Sequence, residues 1–168
     1  RTLEYKNNVE KQRLKAIETI AIYAPLAKKL GIYRICTELE DLSLKYIAPA
    51  QYKQITNEVD DYVSRCQKII DDMQSNLEGL LKNEKIDCTI KSRVRNIYSI
   101  FRKKKQINGF SYDKMHDLLA LKIILDYVNG MYNAIECYTF LGLVHNFYKP
   151  LNNGGIKDYI ANPKFNND

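Results

Sequence analysis

The amino-acid sequence predicts an α+β protein, helical first and strand-containing afterwards, on three observations. Apolar residues recur at helical spacing from Val9 to about Leu81, the spacing shortens to alternation at Ile86, Cys88 and Ile90, and an apolar run, LLALKIIL, follows at residues 118–125. A helix buries one stripe along its length, whereas a strand buries every second residue, or all of them when both faces are covered.

The elements follow in order. Leu14, Ile17, Ala21 and Ala24 form the stripe of a first helix, which Pro25 is expected to interrupt and whose continuation Gly31 can cap. Ile35, Leu39, Leu42 and Tyr46 mark a second. Pro49 with Ala50 starts a long third helix, whose apolar positions are Ile55, Val59, Tyr62, Cys66, Ile69, Met73, Leu77 and Leu80. The polar KNEK at residues 82–85 then divides the chain into 1–85 and 86–168. The second region reads as a strand, a basic helix within RVRNIYSIFRKKK (93–105), a loop at Ile107–Phe110, a buried strand in LLALKIIL, a turn at Asn129 and Gly130, a helix to about Tyr148, and a Gly-rich loop at 152–155. No internal repeat or low-complexity segment interrupts this order.

A net charge of +6 and a pI near 9.0 favour an anionic partner over a cationic one. Cys36, Cys66, Cys88 and Cys137 are widely spaced, with no C-x-x-C pair and no histidine beside them, which argues against zinc or a disulfide scaffold and for a reducing cytoplasm. No signal-peptide pattern and no apolar run of membrane-spanning length is present, so no membrane association is expected.

The stretch 93–105 holds six basic residues and no acidic one. Read as one helix, it places Arg95, Ser99 and Arg102 on a single stripe with Lys103 beside it, while Ile97, Ile100 and Phe101 point the other way. Cations held in register repel one another, and a polyphosphate laid along them relieves that repulsion through charge-assisted hydrogen bonds. The competing reading is a solvated basic face. Asp117, at the mouth of the apolar run, is a candidate magnesium ligand, since magnesium at phosphoryl-transfer sites takes one or two carboxylates and fills its shell with phosphate oxygens and water. Its competing reading is a strand cap, or an ion pair with Lys122 or Arg102. His116 and His145 are isolated and read as packing or hydrogen-bonding residues, and Tyr23, Tyr46, Tyr52, Tyr62 and Tyr138 fall on apolar stripes, as core or rim residues.

Several spaced segments together resemble the synthetase region of the RelA/SpoT homologue family of (p)ppGpp synthetases. RVRNIYSIFRKK resembles that family's R-P-K-H-x-Y-S-I-x-R-K, HDLLALKII its D-L-x-A-x-R strand, and GLVHNFYKP followed by GGIKDYIANPKFN its G-x-x-H-x-x-W-x-P and G-R-F-K-D-Y-I-A-x-P-K-x-N run. Upstream, IYAPLAKKLGI and ELEDLSLKYI resemble the helical connector that joins the family's hydrolase and synthetase domains, and RTL the end of the last hydrolase helix.

The resemblance implies a helical connector over 1–85 and, over 86–168, the first part of a synthetase domain: a truncated nucleotidyltransferase-like mixed sheet flanked by helices. It implies a GTP pyrophosphokinase, which moves the β,γ-pyrophosphate of ATP to the 3′-hydroxyl of GTP or GDP. Arg93, near the adenine, with Arg95, Ser99, Arg102 and Lys103, toward the phosphates, would hold ATP; Asp117 would be the catalytic carboxylate and carry Mg2+; Lys122, Lys157, Lys164 and Asn166 would receive the guanine nucleotide. It also allows a ribosome as partner through regions outside this chain. The alternative class is a noncatalytic basic helical module that docks RNA or a partner protein.

The chain departs from the family pattern at Val94, Arg95, Lys122 and Gly155, where proline, lysine, arginine and arginine are usual. The family's guanine-stacking tyrosine and second acidic residue lie past Asn166, where this sequence reads Asn167 and Asp168; Asp126 and Asp158 are the nearest carboxylates. The chain is therefore read as part of a longer protein or the product of a degenerate gene, inactive in isolation.

Overall fold

Helix α1 (Val9–Glu18) starts where the Asn8 side chain turns back on the chain, its Oδ1 accepting the Glu10 and Lys11 N–H groups at 2.9 and 3.1 Å. The computed structural model describes residues 8–84, 86, 88–107, 109–115, 117–125, 134–150 and 155–163. α1 runs into a π-helical turn (Thr19–Tyr23) and on into α2 (Ala24–Lys29).

Pro25 therefore does not interrupt the helical run as expected. Proline has no N–H to give to the previous turn, and its ring strikes the carbonyl four residues back in a regular α-helix. The widened turn ahead of it, closed by the Ala24 N–H on the Thr19 carbonyl, accommodates proline without a break. The stop comes at Gly31. Its φ of 73° is left-handed, the Gly31 N–H bonds the Lys28 carbonyl at 3.0 Å, and the Ile32 N–H bonds the Ala27 carbonyl at 2.9 Å, the paired bonds of a Schellman cap.

α3 (Tyr33–Ile47) follows at once and α4 (Pro49–Asn83) begins on its proline, as the sequence predicts. The buried contacts of the first helices are small residues: Ala24, Ala27 and Cys36 cluster with Leu39 against them, and Ala16 and Thr19 are also buried. Leu14 and Ile17, on the expected apolar stripe, are exposed instead. Small side chains let backbones approach closely, so burial here follows shape more than hydrophobicity.

Strand β1 (Cys88–Val94) and strand β2 (Leu119–Leu125) pair antiparallel in a two-stranded sheet, with α5 (Ile97–Gln106) and a 3₁₀ turn (Tyr112–Lys114) in the sequence between them and α6 (Ala134–Phe147) after. The α+β class is as expected. LLALKIIL, expected to be buried, alternates: Leu121 and Ile123 face the core while Ala120, Lys122 and Ile124 are exposed. Among the described residues only one face of the pair is covered.

Contacts divide the chain into two compact units, each drawing on both sides of Lys85: the described parts of Arg1–Ser64 with Val94–Leu118, and those of Arg65–Arg93 with Leu119–Asn166. The second unit has a layered core. Leu77 and Leu81 of α4, Ile90 of β1, Leu121 and Ile123 of β2, and Phe140 and Val144 of α6 pack together. A two-stranded ribbon is marginal alone, and the helices supply the apolar contact that holds it. The expected turn at Asn129 and Gly130, and residues 152–154 of the Gly-rich loop, lie outside the described residues.

Two glycines are expected to respond oppositely to alanine. A Cβ at either Gly31 or Gly79 meets nothing within 4 Å, but Gly31 sits at positive φ whereas Gly79 lies within α4. Gly31→Ala should lower unfolding free energy by about 1 kcal/mol, and Gly79→Ala should raise it by roughly 0.5–1 kcal/mol, read from denaturant midpoints.

Candidate functional site

The basic stretch is part strand, part turn and part helix. Arg93 and Val94 end β1, Arg95 and Asn96 form the turn, and the helix begins at Ile97. The expected single helical stripe of Arg95, Ser99 and Arg102 is thus corrected: Arg95 precedes the helix. The Arg95 N–H is committed to the Leu118 carbonyl at 2.9 Å, and the extended backbone of Asn96 (φ −65°, ψ 145°) marks the N-cap.

Arg95 still reaches the basic side chains. Its guanidinium Nη1 donates to Oδ2 of Asp117, and Lys103 Nζ, from the second turn of α5, reaches the other carboxylate oxygen at 3.0 Å. The competing reading of Asp117, an ion pair with Lys122 or Arg102, is met by other partners, Arg95 and Lys103. Asp117 is half exposed on a turn tied down by buried Met115 and Leu118, with the Leu118 N–H on the Met115 carbonyl at 3.1 Å. Apolar burial on both sides holds a carboxylate at the surface.

Burial, and then the charge of Arg95, push the Lys103 ammonium below the usual lysine range despite its contact with Asp117. Two neighbouring cations share one carboxylate, so the cluster retains positive charge. Ser99 is half buried on the turn of α5 preceding Lys103. Arg102 is exposed and acts electrostatically on Glu40 and Tyr98.

The rest of the basic run is anchored to the fold. Lys104 Nζ bonds Glu58 Oε2 at 2.6 Å, the Tyr112 hydroxyl donates to the same oxygen at 2.6 Å, and Lys105 lies over the Phe101 ring, 4.3 Å from its centroid. Tyr112 also meets Phe110 edge-on and Tyr62 at a tilt, so the loop between α5 and β2 is fastened to α4 by aromatic contact and by Glu58. Glu58 stands far away in sequence and was not legible as a partner of the basic stretch.

In the second unit, Arg93 and Ser92 of β1 line a mainly apolar cavity of about 230 Å³ with Cys66, Ile69 and Met73 of α4 and Leu121 of β2. Lys122 and Lys157 are exposed. Asp158 is engaged locally: its Oδ1 accepts the Ile160 and Ala161 N–H groups and its Oδ2 the Tyr138 hydroxyl, all at 2.9 Å. The Ala161 amide, the Tyr138 hydroxyl and the Ile160 amide hold its carboxyl below the usual range, against a small burial effect. Its capping role fixes the turn after Lys157. Lys164, Asn166, His116 and Asp126 lie outside the described residues.

Residues 92–167 match the family model described as the region found in RelA / SpoT proteins. The chain is 38% identical over 166 residues to a protein of Myxococcus xanthus named GTP pyrophosphokinase, covering 99% of this chain and 21% of that protein. It is 38% identical over 158 residues to a guanosine-3′,5′-bis(diphosphate) 3′-pyrophosphohydrolase of Spiroplasma citri, covering 94% of this chain and 20% of that protein. It is 33% identical over 156 residues to the bifunctional (p)ppGpp synthase/hydrolase RelA of Mycobacterium tuberculosis, covering 93% and 20%. The chain thus spans about a fifth of the length of the curated relatives it matches.

Glu58 yields a pH prediction. Burial raises its carboxyl, but the hydrogen bonds from Lys104, Tyr112 and Gln54 outweigh it and the net shift is downward. A carboxyl lowered on folding adds stability above its unfolded value, near 4.3, and that contribution disappears as pH falls through the folded value. Glu58→Gln should therefore lose stability at pH 7 and show a shallower decline between pH 5 and 3, in urea titrations across that range.

Proposed function

We propose that this chain belongs to the RelA/SpoT family, whose region model matches residues 92–167, and that it supplies the ATP side of a pyrophosphate transfer, in which the β,γ-pyrophosphate of ATP passes to the ribose 3′-hydroxyl of GTP or GDP. The 3′-oxygen forms a bond to the β-phosphorus as the bond from that phosphorus to the α,β-bridging oxygen breaks; AMP departs with the bridging oxygen and its electron pair, and the hydroxyl proton passes to solvent. The convergence of Arg95 and Lys103 on Asp117 carries this reading.

Transfer between two polyanions needs their repulsion neutralised and their atoms aligned, with little covalent work from the protein. Arg95 and Lys103 offer cationic donors on one side of a small cluster, and Arg102 extends the positive charge along α5. Ser99 contributes a hydroxyl donor on the same helix. By the family resemblance Arg93 would lie near the adenine. Lys122, Lys157, Lys164 and Asn166 take the guanine nucleotide in the same scheme.

Asp117 provides oxygen donors suited to Mg2+, and among the described residues no three His, Cys, Asp or Glu side chains gather into a cage of their own. Asp117 would hold the ion jointly with nucleotide phosphates, the ion screening charge on the transferring group. We place the reaction in the cytoplasm, with ATP and GTP or GDP as partners; no described helix is long and apolar enough to cross a membrane.

In the protein that carries this chain, Lys103→Ala should raise the Kd for Mg·ATP about tenfold, a loss typical of one charge-assisted hydrogen bond. Asp117→Asn should cut kcat by at least about a hundredfold with a much smaller change in ATP affinity, because carboxylate support of the metal matters most at the transition state. Calorimetry and product assays for AMP and a 3′-pyrophosphorylated guanosine check both. A near-normal kcat in Asp117→Asn would overturn the metal assignment. Strong salt-dependent RNA binding with indifference to ATP would instead favour a docking module.

A further inference from the structure

We propose that Asp41, on α3, is a positioning residue for the phosphate-facing helix: it caps α5 from 57 residues away and thereby ties the geometry of the ATP-binding side chains to the N-terminal helices. The inference rests on the reading of α5 as part of an ATP site.

The start of α5 is unusual in how its first amides are satisfied. A helix leaves its first N–H groups without intrahelical partners, and an Asn at the N-cap normally supplies the acceptor. Asn96 has the N-cap backbone conformation but gives its side chain elsewhere: its amide nitrogen donates toward Glu40 Oε2 at 3.2 Å and Asp41 Oδ1 at 3.4 Å. The cap comes instead from α3. Asp41 Oδ1 accepts the Tyr98 N–H at 2.8 Å, and Oδ2 stands 3.4 Å from the Ile97 nitrogen.

This arrangement has two physical consequences. The carboxylate meets the positive end of the α5 dipole, so that end is already occupied by a protein anion. An incoming polyphosphate is left to the side chains along α5 and at Arg95, and helix-end anion binding is closed to it. Secondly, the first turn of α5 is fixed to α3. Ile100 is fully buried one turn further on, and Lys103 follows at the height of Asp117, so a shift of the first turn moves Lys103 relative to Arg95.

α3 is itself held at its other end. Cys36 packs with Ala24 and Ala27 of α2, five residues before Asp41, and the Schellman cap at Gly31 sets how α2 hands over to α3. A continuous set of packed and hydrogen-bonded groups therefore runs from α2 through α3 to the first turn of α5. Burial raises the carboxyls of both Glu40 and Asp41, while hydrogen bonds from Asn96 and, for Asp41, from the Tyr98 and Ile97 amides oppose it. The contact is a desolvated one, which makes its geometry demanding.

The test compares Asp41→Ala, Asp41→Asn and Lys103→Ala in the chain, by calorimetric titration with Mg·ATP and by hydrogen exchange at the Ile97 and Tyr98 amides. Asp41→Ala should speed exchange at those two amides and raise the Kd for Mg·ATP by roughly threefold to thirtyfold, the range that loss of a helix cap spans. Asp41→Asn keeps an acceptor oxygen and should recover most of that loss, a rescue that a purely global destabilisation would not show. If Asp41→Ala leaves affinity within about twofold while Lys103→Ala weakens it, positioning is overturned and the ATP site stands. If Lys103→Ala also changes nothing, the ATP-site reading fails and this inference with it. Should Asp41→Ala not unfold cooperatively, Asp41→Asn and Asn96→Ala decide by the same criterion, and wild-type affinity in both overturns the proposal.

Discussion

Crowding of positive charge between Arg95 and Lys105 is the constraint around which the first unit is arranged. Cations a turn apart on a helix destabilise it unless counter-charge is brought to them. None is present within the stretch, so the fold imports it: Glu58 from α4 meets Lys104, Asp117 from the turn before β2 meets Lys103 and Arg95, and Glu40 of α3 acts on Arg102. Each imported carboxylate also fastens a segment to α5. Electrostatic compensation and the tertiary path of the chain are thus one arrangement.

The compensation is uneven, and the unevenness has chemical meaning. The Glu58 contact is reinforced by a phenol and by aromatic packing around Tyr112, and its carboxyl is stabilised in the charged form. At Asp117 a single half-exposed carboxylate is divided between two cations, one of which burial and repulsion push toward neutrality. The first is built to hold structure. The second leaves positive charge unanswered at a solvent-accessible point, where an added anion gains most.

Much of the fold was legible because local rules governed it. Gly31 stopped the helix, Pro49 started one, and alternation at Cys88 and Ile90 marked a strand. Pro25 misled because a π turn absorbs proline at little cost, and periodicity alone gives no sign of that. The helix start at Ile97 was missed because basic residues are compatible with helix, strand and turn alike; the deciding contacts, Arg95 to Leu118 and Tyr98 to Asp41, are non-local. At the site, Asp117 was expected from sequence beside the basic residues that include Arg95 and Lys103, but its direct pairing with those two was not readable. Asp41 was missed altogether, although ELED ahead of a basic segment without its own acidic cap was the available signal.

The distribution of counter-charge also bears on the choice between a nucleotide site and a nucleic-acid surface. Binding to a nucleic-acid backbone gains by releasing counterions along many successive phosphates, which calls for a row of solvated cations at roughly regular spacing. Here Lys104 is pinned to Glu58, Lys105 lies on Phe101, and Arg95 and Lys103 turn inward to one carboxylate. The positive charge is gathered toward a point, with an oxygen ligand at its centre. A point of that kind matches a compact polyphosphate carrying a divalent ion, because the phosphates can take over the cations from Asp117 while the ion takes over the carboxylate. Both partners of the present ion pairs would then keep a counter-charge, and the exchange would leave no charge of the cluster unanswered.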